Sequence, residues 1–314
     1  MKFLITEEES GTTVRSFILQ RLKPSSKMLK YLKYRPDGIL VNGEHKTVRY
    51  ILCTGDCLEV AVCDGEPSDR IAPVDLPLEI LYEDDSIILP SKPANMPTHP
   101  SHDHYDDTVA NALAYRFAQK GIPFVFRPIN RLDRNTSGLL LIAKNKLAAG
   151  RMTRAMEHAE IQKSYLAVLE GEMPLGDGVI DACLHRTAKS IIVREVCSPD
   201  LPDADPARTE YTVLLAQNGH TLVRAHPITG RTHQLRVHFA SLGHPIVGDD
   251  LYGTPSEKIN RHALHAYSLS FPHPDTQKRM TVFAPLATDM QVLIDALFGD
   301  ALQKIKREWE DVHE

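Results

Sequence analysis

Asp133 stands in the run Arg131-Leu132-Asp133-Arg134-Asn135-Thr136-Ser137-Gly138, a polar stretch that opens directly into the apolar run Leu139 to Ala143. Catalytic groups concentrate on loops anchored to a rigid strand. A carboxylate held beside Arg131, Arg134 and the hydroxyls of Thr136 and Ser137 would be kept as the anion and oriented, because nearby cations and hydrogen bonds favour the charged form. Such an aspartate can act as a nucleophile. The same string also reads as an ordinary capped turn, since Asp followed by Asn-Thr-Ser-Gly satisfies its own backbone. The residues alone leave both readings open.

Histidines raise the question of a metal: His99, His102 and His104 lie close together, and His262 and His265 sit three apart. No cysteine or carboxylate cluster completes a ligand set beside them. Solvent-exposed loop histidines are therefore expected, and no metal. The five cysteines, Cys53, Cys57, Cys63, Cys183 and Cys197, include no pair at the two-residue spacing of zinc or redox sites, which reads as free thiols in a reducing compartment.

The elements that must position these residues follow from periodicity. Leu78 to Tyr82 and Ser86 to Leu89 read as short strands around an Asp84-Asp85 turn, and Val109, Leu113 and Phe117 as the stripe of a helix ending before Gly121. Strands are expected at Leu139 to Ala143, Tyr165 to Leu169, Thr209 to Leu215, Thr221 to His226 and Arg279 to Phe283. Helices are expected from Lys146 to Glu160 and from Arg231 to Leu242, the second burying Leu235, Phe239 and Leu242. Arg236 lies at the edge of that stripe, where a partly desolvated guanidinium needs an anion. After Pro285 a further helix should dock through Val292, Leu293, Leu297 and Phe298. Strands outnumber helices without alternating regularly with them, which predicts an α+β domain with a mixed, mostly antiparallel sheet.

Composition is globular, with 42% hydrophobic and 25% charged residues in a chain of 314. No apolar run is long enough for a membrane span, and the start MKFLITEEES turns acidic too early for a signal peptide, so a cytoplasmic protein is expected. The net charge of -5 does not advertise nucleic-acid binding, yet nine basic residues stand between Thr12 and Tyr50 against only Asp37 and Glu44. Within that stretch Val14, Phe17, Ile18 and Leu22 form one helical stripe. Met28, Leu29 and Leu32 form a second, with Lys27, Lys30 and Lys33 on another side. Gly38 ends the second helix, Asn42-Gly43 marks a tight hairpin, and Cys57 to Val62 closes a small domain over residues 1–62. Residues 63–77, rich in Pro, Asp and Glu, read as a linker. The main domain spans 78–298, and 299–314 form a charged helical tail.

The string Asn130 to Lys144, NRLDRNTSGLLLIAK, resembles the signature of the RluA-type RNA pseudouridine synthases, in which the aspartate of the RLD triplet is catalytic. Lys163 to Val168 resembles the family's Lys-x-Tyr strand and Pro227 to His238 its third motif. Two looser ones match SKPANMPTHPS (Ser91 to Ser101) and LHAYSL (Leu264 to Leu269), and all five occur in the family's order. The order of basic helix, VNG turn and GDCLEV strand at the N-terminus resembles an S4-type RNA-binding module. The resemblance implies that Asp133 is the catalytic residue, that Arg236 pairs with it, and that Tyr165 stacks on the uracil and handles a proton. It further implies that Arg131 fills the gap left by a flipped nucleotide and that Leu264 packs beneath the base; Thr136 and Arg231, in the first and third motifs, join them as substrate-binding candidates. It implies no cofactor and no metal. The expected partner is RNA, ribosomal RNA ahead of transfer RNA, with neither DNA nor membrane and with a monomer sufficing. Two positions depart from the pattern: Asn130 stands where His is common, and Asn95 where Gly is usual. The rival readings are a non-catalytic RNA-binding or ribosome-assembly factor and an aspartate-dependent hydrolase or glycosidase, which would need a second carboxylate.

Overall fold

The computed structural model describes residues 1–24, 26–62, 71–188, 190 and 192–299 of the chain. Near the N-terminus, β1 (Lys2–Leu4) is followed by α1 (Val14–Arg21) and α2 (Ser26–Tyr34), then β2 (Ile39–Val41), β3 (Glu44–His45) and β4 (Cys57–Val60). The strands form one sheet in the order β1-β4-β2-β3. Val14, Phe17, Ile18, Leu22, Met28 and Leu32 are all buried in this unit's own core, as their helical spacing requires. Thr13 caps α1 by accepting from the amide of Ser16. The β2–β3 turn carries Asn42 and Gly43 at φ of 54° and 82°, the pair of left-handed residues that a two-residue hairpin of matching twist demands.

The larger domain begins earlier than its strand pattern suggests. Residues 71–77, expected as linker, already lie against it: Asn111 Nδ2 donates to the Ala72 carbonyl at 2.8 Å, and Leu76 packs on the main core. Residues 63–70 and the tail from 300 onward, both assigned a character from sequence, lie outside the described residues.

From there β5 (Glu79–Glu83), β6 (Ile87–Lys92), α3 (Val109–Gln119), β7 (Ser137–Leu139), β8 (Ile142–Ala143) and α4 (Lys146–Glu157) lead to the long strand β9 (Gln162–Glu170). Next come β10 (Gly176–Asp181), β11 (Cys183–Arg186), β12 (Arg194–Cys197), β13 (Arg208–Gln217), β14 (His220–Pro227) and α5 (Gln234–Ser241). The strands β15 (Leu264–Pro272) and β16 (Arg279–Phe283) and the helix α6 (Thr288–Phe298) complete the described chain. Eight strands run β10-β13-β14-β9-β15-β7-β6-β5, with β16 on β15 and β8 on β6. Among the described residues every pairing in this sheet is antiparallel except β15 with β7. The architecture is α+β with a mixed, mostly antiparallel sheet.

Several local expectations need correction. The apolar run Leu139 to Ala143 is not one strand but β7 and β8, which pair with β6 in one continuous register; between them the Leu141 amide and carbonyl turn to Asn130 Oδ1 and the Ile129 amide instead. Strands β1, β3, β10, β11, β12 and β15 go beyond what periodicity marks; several are short, and β10 reads as a Gly and Asp turn until β13 supplies its ladder. Leu242 is 43% exposed and Val292 61%, so neither docks as its helical spacing suggests; Leu242 lies at the C-cap just past α5 and Val292 on the solvent side of α6.

The parallel pairing is what places the chemistry. Gly138, at φ of 110°, lies so close to β15 that a Cβ there would meet the Ala266 carbonyl oxygen at 2.2 Å. Only glycine admits that approach. It sets the loop before β7 beside the start of β15, and β9 lies on the other edge of β15, with Ala266 opposite Tyr165.

Candidate active site

The loop carrying Asp133 is fastened carbonyl by carbonyl. Thr98 Oγ1 donates to the Leu132 oxygen at 3.0 Å, the Thr136 amide to the Asp133 oxygen at 3.1 Å, Lys92 Nζ to the Arg134 oxygen at 2.8 Å, and Arg261 Nη1 to the Asn135 oxygen at 3.0 Å. Four successive acceptors with four donors leave this backbone little freedom, so the Asp133 side chain is presented from a rigid support. Thr136 is buried, and its hydroxyl meets His262 Nε2 at 2.8 Å; burial, followed by the charge of Arg236, pulls the pKa of His262 down to about 3 and keeps the ring neutral. His262 and His265 are therefore buried bracing groups, His265 meeting Ser137 Oγ at 2.9 Å, and not the exposed loop histidines expected.

Arg236 is buried and makes its bidentate pair with Asp249, at 2.7 Å from both Nε and Nη2. The expectation that its anion is Asp133 needs this correction: the remaining nitrogen, Nη1, faces Asp133 Oδ2 at 3.8 Å. Burial raises the Asp249 carboxyl, but the hydrogen bonds and charge of Arg236, together with the Leu251 amide, outweigh that and hold it below the ordinary value. Asp249 also accepts from the amides of Leu251 and Tyr252, which places the Tyr252 ring 5.1 Å from the guanidinium. The Tyr252 hydroxyl in turn meets His233 Nδ1 at 2.7 Å, while His233 Nε2 stands 4.0 Å from Asp133 Oδ2. His233, at φ of 57°, occupies the N-cap of α5, so helix α5 begins beside the carboxylate; Arg231 precedes the helix and does not open it. Arg231 Nε donates to the Pro206 carbonyl at 3.0 Å.

Tyr165 is buried in β9, and its neighbours on the adjoining strands are Ala225 and Ala266. Two methyl groups beside the ring leave room that larger side chains would fill. Burial first, then the charge of Asp133, pushes the phenol far above its ordinary range, so it stays protonated. A cleft of about 740 Å³ unites these groups: Asp133, Tyr165, Arg236, Arg131, Thr136, Leu264 and Arg231 all line it. Its size suits a nucleotide-sized ligand. Arg131 is exposed at the rim and Leu264 is buried in the wall.

Residues 86–241 match the family model described as RNA pseudouridylate synthase. YjbO of Bacillus subtilis, described as an uncharacterized RNA pseudouridine synthase, is 38% identical over 270 residues, covering 86% of this chain and 94% of its own. The chain belongs to the RNA pseudouridylate synthase family. Its RluA-type character agrees with a further relative, ribosomal large subunit pseudouridine synthase D of Zymomonas mobilis, 36% identical over 256 residues, covering 77% of this chain and 79% of that one. Human RNA pseudouridylate synthase domain containing 1 superposes with a TM-score of 0.57 at 29% identity, over 69% of this chain and 87% of its own. Enzymes of this family are isomerases that convert uridine to pseudouridine within RNA.

Both departures from the family pattern have local explanations in this synthase. Asn130 Oδ1 accepts from the Leu141 amide at 2.7 Å and Nδ2 donates to the Leu139 carbonyl at 3.3 Å, so the amide side chain bridges the break between β7 and β8. Asn95 sits at φ of 61°, a conformation asparagine tolerates better than other non-glycine residues. Sequence reasoning missed Asp249, Tyr252, His233 and Arg261 as partners of the synthase site. His233 lay inside the Pro227 to His238 motif without being singled out, and for Asp249 and Tyr252 the signal was the Gly-Asp-Asp turn at Gly248 to Asp250, which periodicity does not flag.

Lys92 is 1% exposed and donates to the carbonyls of Pro93, Met96 and Arg134, each at 2.8 Å. Burial pulls its pKa down to about 7, the Arg261 charge acts the same way, and Asp133 opposes them. Between pH 7 and the ordinary lysine value of 10.5 the unfolded chain holds this proton while the folded chain releases it, so the unfolding free energy rises with pH across that window. Lys163, also lowered by burial, adds to the slope with the same sign. Lys92→Met is expected to flatten the slope, checked by urea titrations at a series of pH values; an unchanged slope would refute the assignment.

Proposed function

We propose that this protein isomerises uridine to pseudouridine in large-subunit ribosomal RNA, with Asp133 as the nucleophile. The supporting observation is the convergence of Asp133, Tyr165 and Arg236 on one nucleotide-sized cleft. The relatives' printed names support this choice of RNA, and we propose a cytoplasmic protein on the same ground. Uracil must leave C1′ and return through its own C5, so the base has to be out of its stack and the pocket has to retain it. In this reading Arg131, exposed at the rim, fills the space the nucleotide vacates, while Leu264 packs beneath the base and Thr136 holds the loop. Arg231 contacts the RNA backbone. Arg236, locked by Asp249, keeps one nitrogen facing the Asp133 carboxylate without donating a hydrogen bond that would tie up its lone pair.

Tyr165 stacks on the base and offers a phenol that remains protonated. Tyr165→Phe, which keeps the ring, should bind RNA with unchanged affinity and lose turnover by about 10²–10⁴-fold, the usual contribution of a positioned acid or base. Single-turnover kinetics and filter binding check both halves; full turnover by the phenylalanine variant would confine the residue to stacking. The reaction itself is tested with RNA carrying tritium at C5 of uridine. Isomerisation releases that hydrogen to water, a binding protein releases none, and a glycosidase frees uracil. Only the first outcome agrees with the proposal. The N-terminal unit, with its basic helices, is proposed as an S4-like RNA-binding module.

A further inference from the structure

A second, larger hollow of about 1130 Å³ lies between the N-terminal unit and the catalytic domain. Its lining includes Arg21, Lys23, Arg127, Lys146, Arg151 and Arg154, against the carboxylates Glu157, Glu160 and Asp275. A chain with a net charge of -5 thus gathers twice as many cations as anions in one groove.

Two of the cations build the walls. Arg151 donates to the Leu22 carbonyl from Nε and Nη2, at 3.1 and 2.8 Å, and from Nη1 to the Pro274 carbonyl and Asp275 Oδ1, at 2.8 and 2.7 Å. Lys146 stands 3.5 Å over the Tyr31 ring, and Leu147 of α4 is buried in the N-terminal core. The two domains are clasped, so the groove is preformed and its occupant does not have to order it. Lys23 and Arg154 are exposed and have no ion-pair partner among the described residues.

Groove and catalytic cleft share a wall. Glu157, at the C-terminal end of α4, lines both. An anionic polymer lying in the groove would therefore run toward Asp133.

We propose that the interdomain groove holds the phosphate backbone of the RNA on one side of the target uridine, with Lys23 and Arg154 as the phosphate-binding side chains. This rests on the reading of the cleft as an RNA-modifying site. Continuity with that cleft favours RNA over an acidic protein surface.

The test uses the full chain and large-subunit ribosomal RNA transcribed in vitro. Each phosphate left without its cation lowers the slope of log affinity against log salt by about 0.7–0.9. The double variant Lys23→Ala with Arg154→Ala should lose about two such increments and raise KM severalfold, with the loss falling on KM and not on kcat. Glu160→Gln, which removes a negative charge from the wall, should tighten binding. Because one change weakens and the other strengthens, a folding defect cannot mimic the pair. An unchanged salt slope in the double variant would overturn the proposal and leave the groove to a protein surface. A fall in kcat at unchanged KM would also overturn it, since it would put these side chains in the chemical step. A wild-type protein that binds the transcript but releases no tritium would overturn the cleft reading alone, because the groove is read by binding.

Discussion

Asp133→Ala is expected to abolish pseudouridine formation, with a loss on the order of 10⁴-fold or more, as when a nucleophile is removed from other covalent enzymes. Folding should be unaffected. Asp133 is partly exposed, and the cation nearest to it, Arg236, keeps its two hydrogen bonds to Asp249 when the Asp133 carboxylate is gone. No buried charge is orphaned, so stability should stay within about 0.5 kcal/mol of wild type, the range of substitutions that break no buried network. Asp133→Asn should behave alike, because an amide fills the same space without the negative charge. Tritium release and thermal unfolding measured on the same preparations check both statements. Measurable release by the alanine variant would remove Asp133 from the chemistry. Loss of the fold would instead show that the loop depends on its side chain and not on the hydrogen bonds to its four carbonyls.

Asp249→Ala should have the largest effect on stability. It strips Arg236 of both hydrogen bonds in a site where the arginine is 4% exposed, and it leaves the amides of Leu251 and Tyr252 without their acceptor. Removing one partner of a buried ion pair costs about 3–5 kcal/mol, and the carboxylates of Asp133 and Asp250, 3.8 and 3.6 Å from the guanidinium and not hydrogen-bonded to it, offset only part of that. Turnover should fall as well, since Arg236 and Tyr252 then lose the anchor that fixes them beside Asp133 and His233. Removing both charges, as in Arg236→Met with Asp249→Leu, should recover much of the stability, because apolar side chains of similar volume replace a buried pair at little cost. It should not recover turnover. Urea unfolding together with tritium release separates the two roles. A wild-type unfolding midpoint for Asp249→Ala would show that the pair is not what holds Arg236.

Much of the site could be read from local strings. The Arg131 to Gly138 loop, the Lys163 to Val168 strand and the Pro227 to His238 segment each carry their chemistry in adjacent residues, and the residues chosen from them line one cleft together with Leu264. The helices were legible too: α1 and α3 bury the residues whose spacing marks them, because a helix facing one core must repeat its apolar positions every three or four residues. Strands fared less well. Tyr165 to Leu169 reads as an alternating strand with Tyr165 on the face opposite Leu166 and Val168, yet β9 is buried on both faces along most of its length. Leu242 and Val292 defeat the helical pattern because apolar character reports a tolerance for burial and not a neighbour to supply it.

Residue types and their order along the chain therefore determined which groups could react, which segments become helices, and that Asp133 stands on a tight loop before a strand. The folded chain alone decided who stands opposite whom. Asp249 takes the bidentate side of Arg236 from a turn that follows α5, Lys92 and Arg261 reach the loop from segments far from it in sequence, and Gly138 is needed only because β15 passes so close. Charge pairs and close backbone approaches depend on distances of a few ångströms between segments, and those distances are set by packing, which no local pattern encodes.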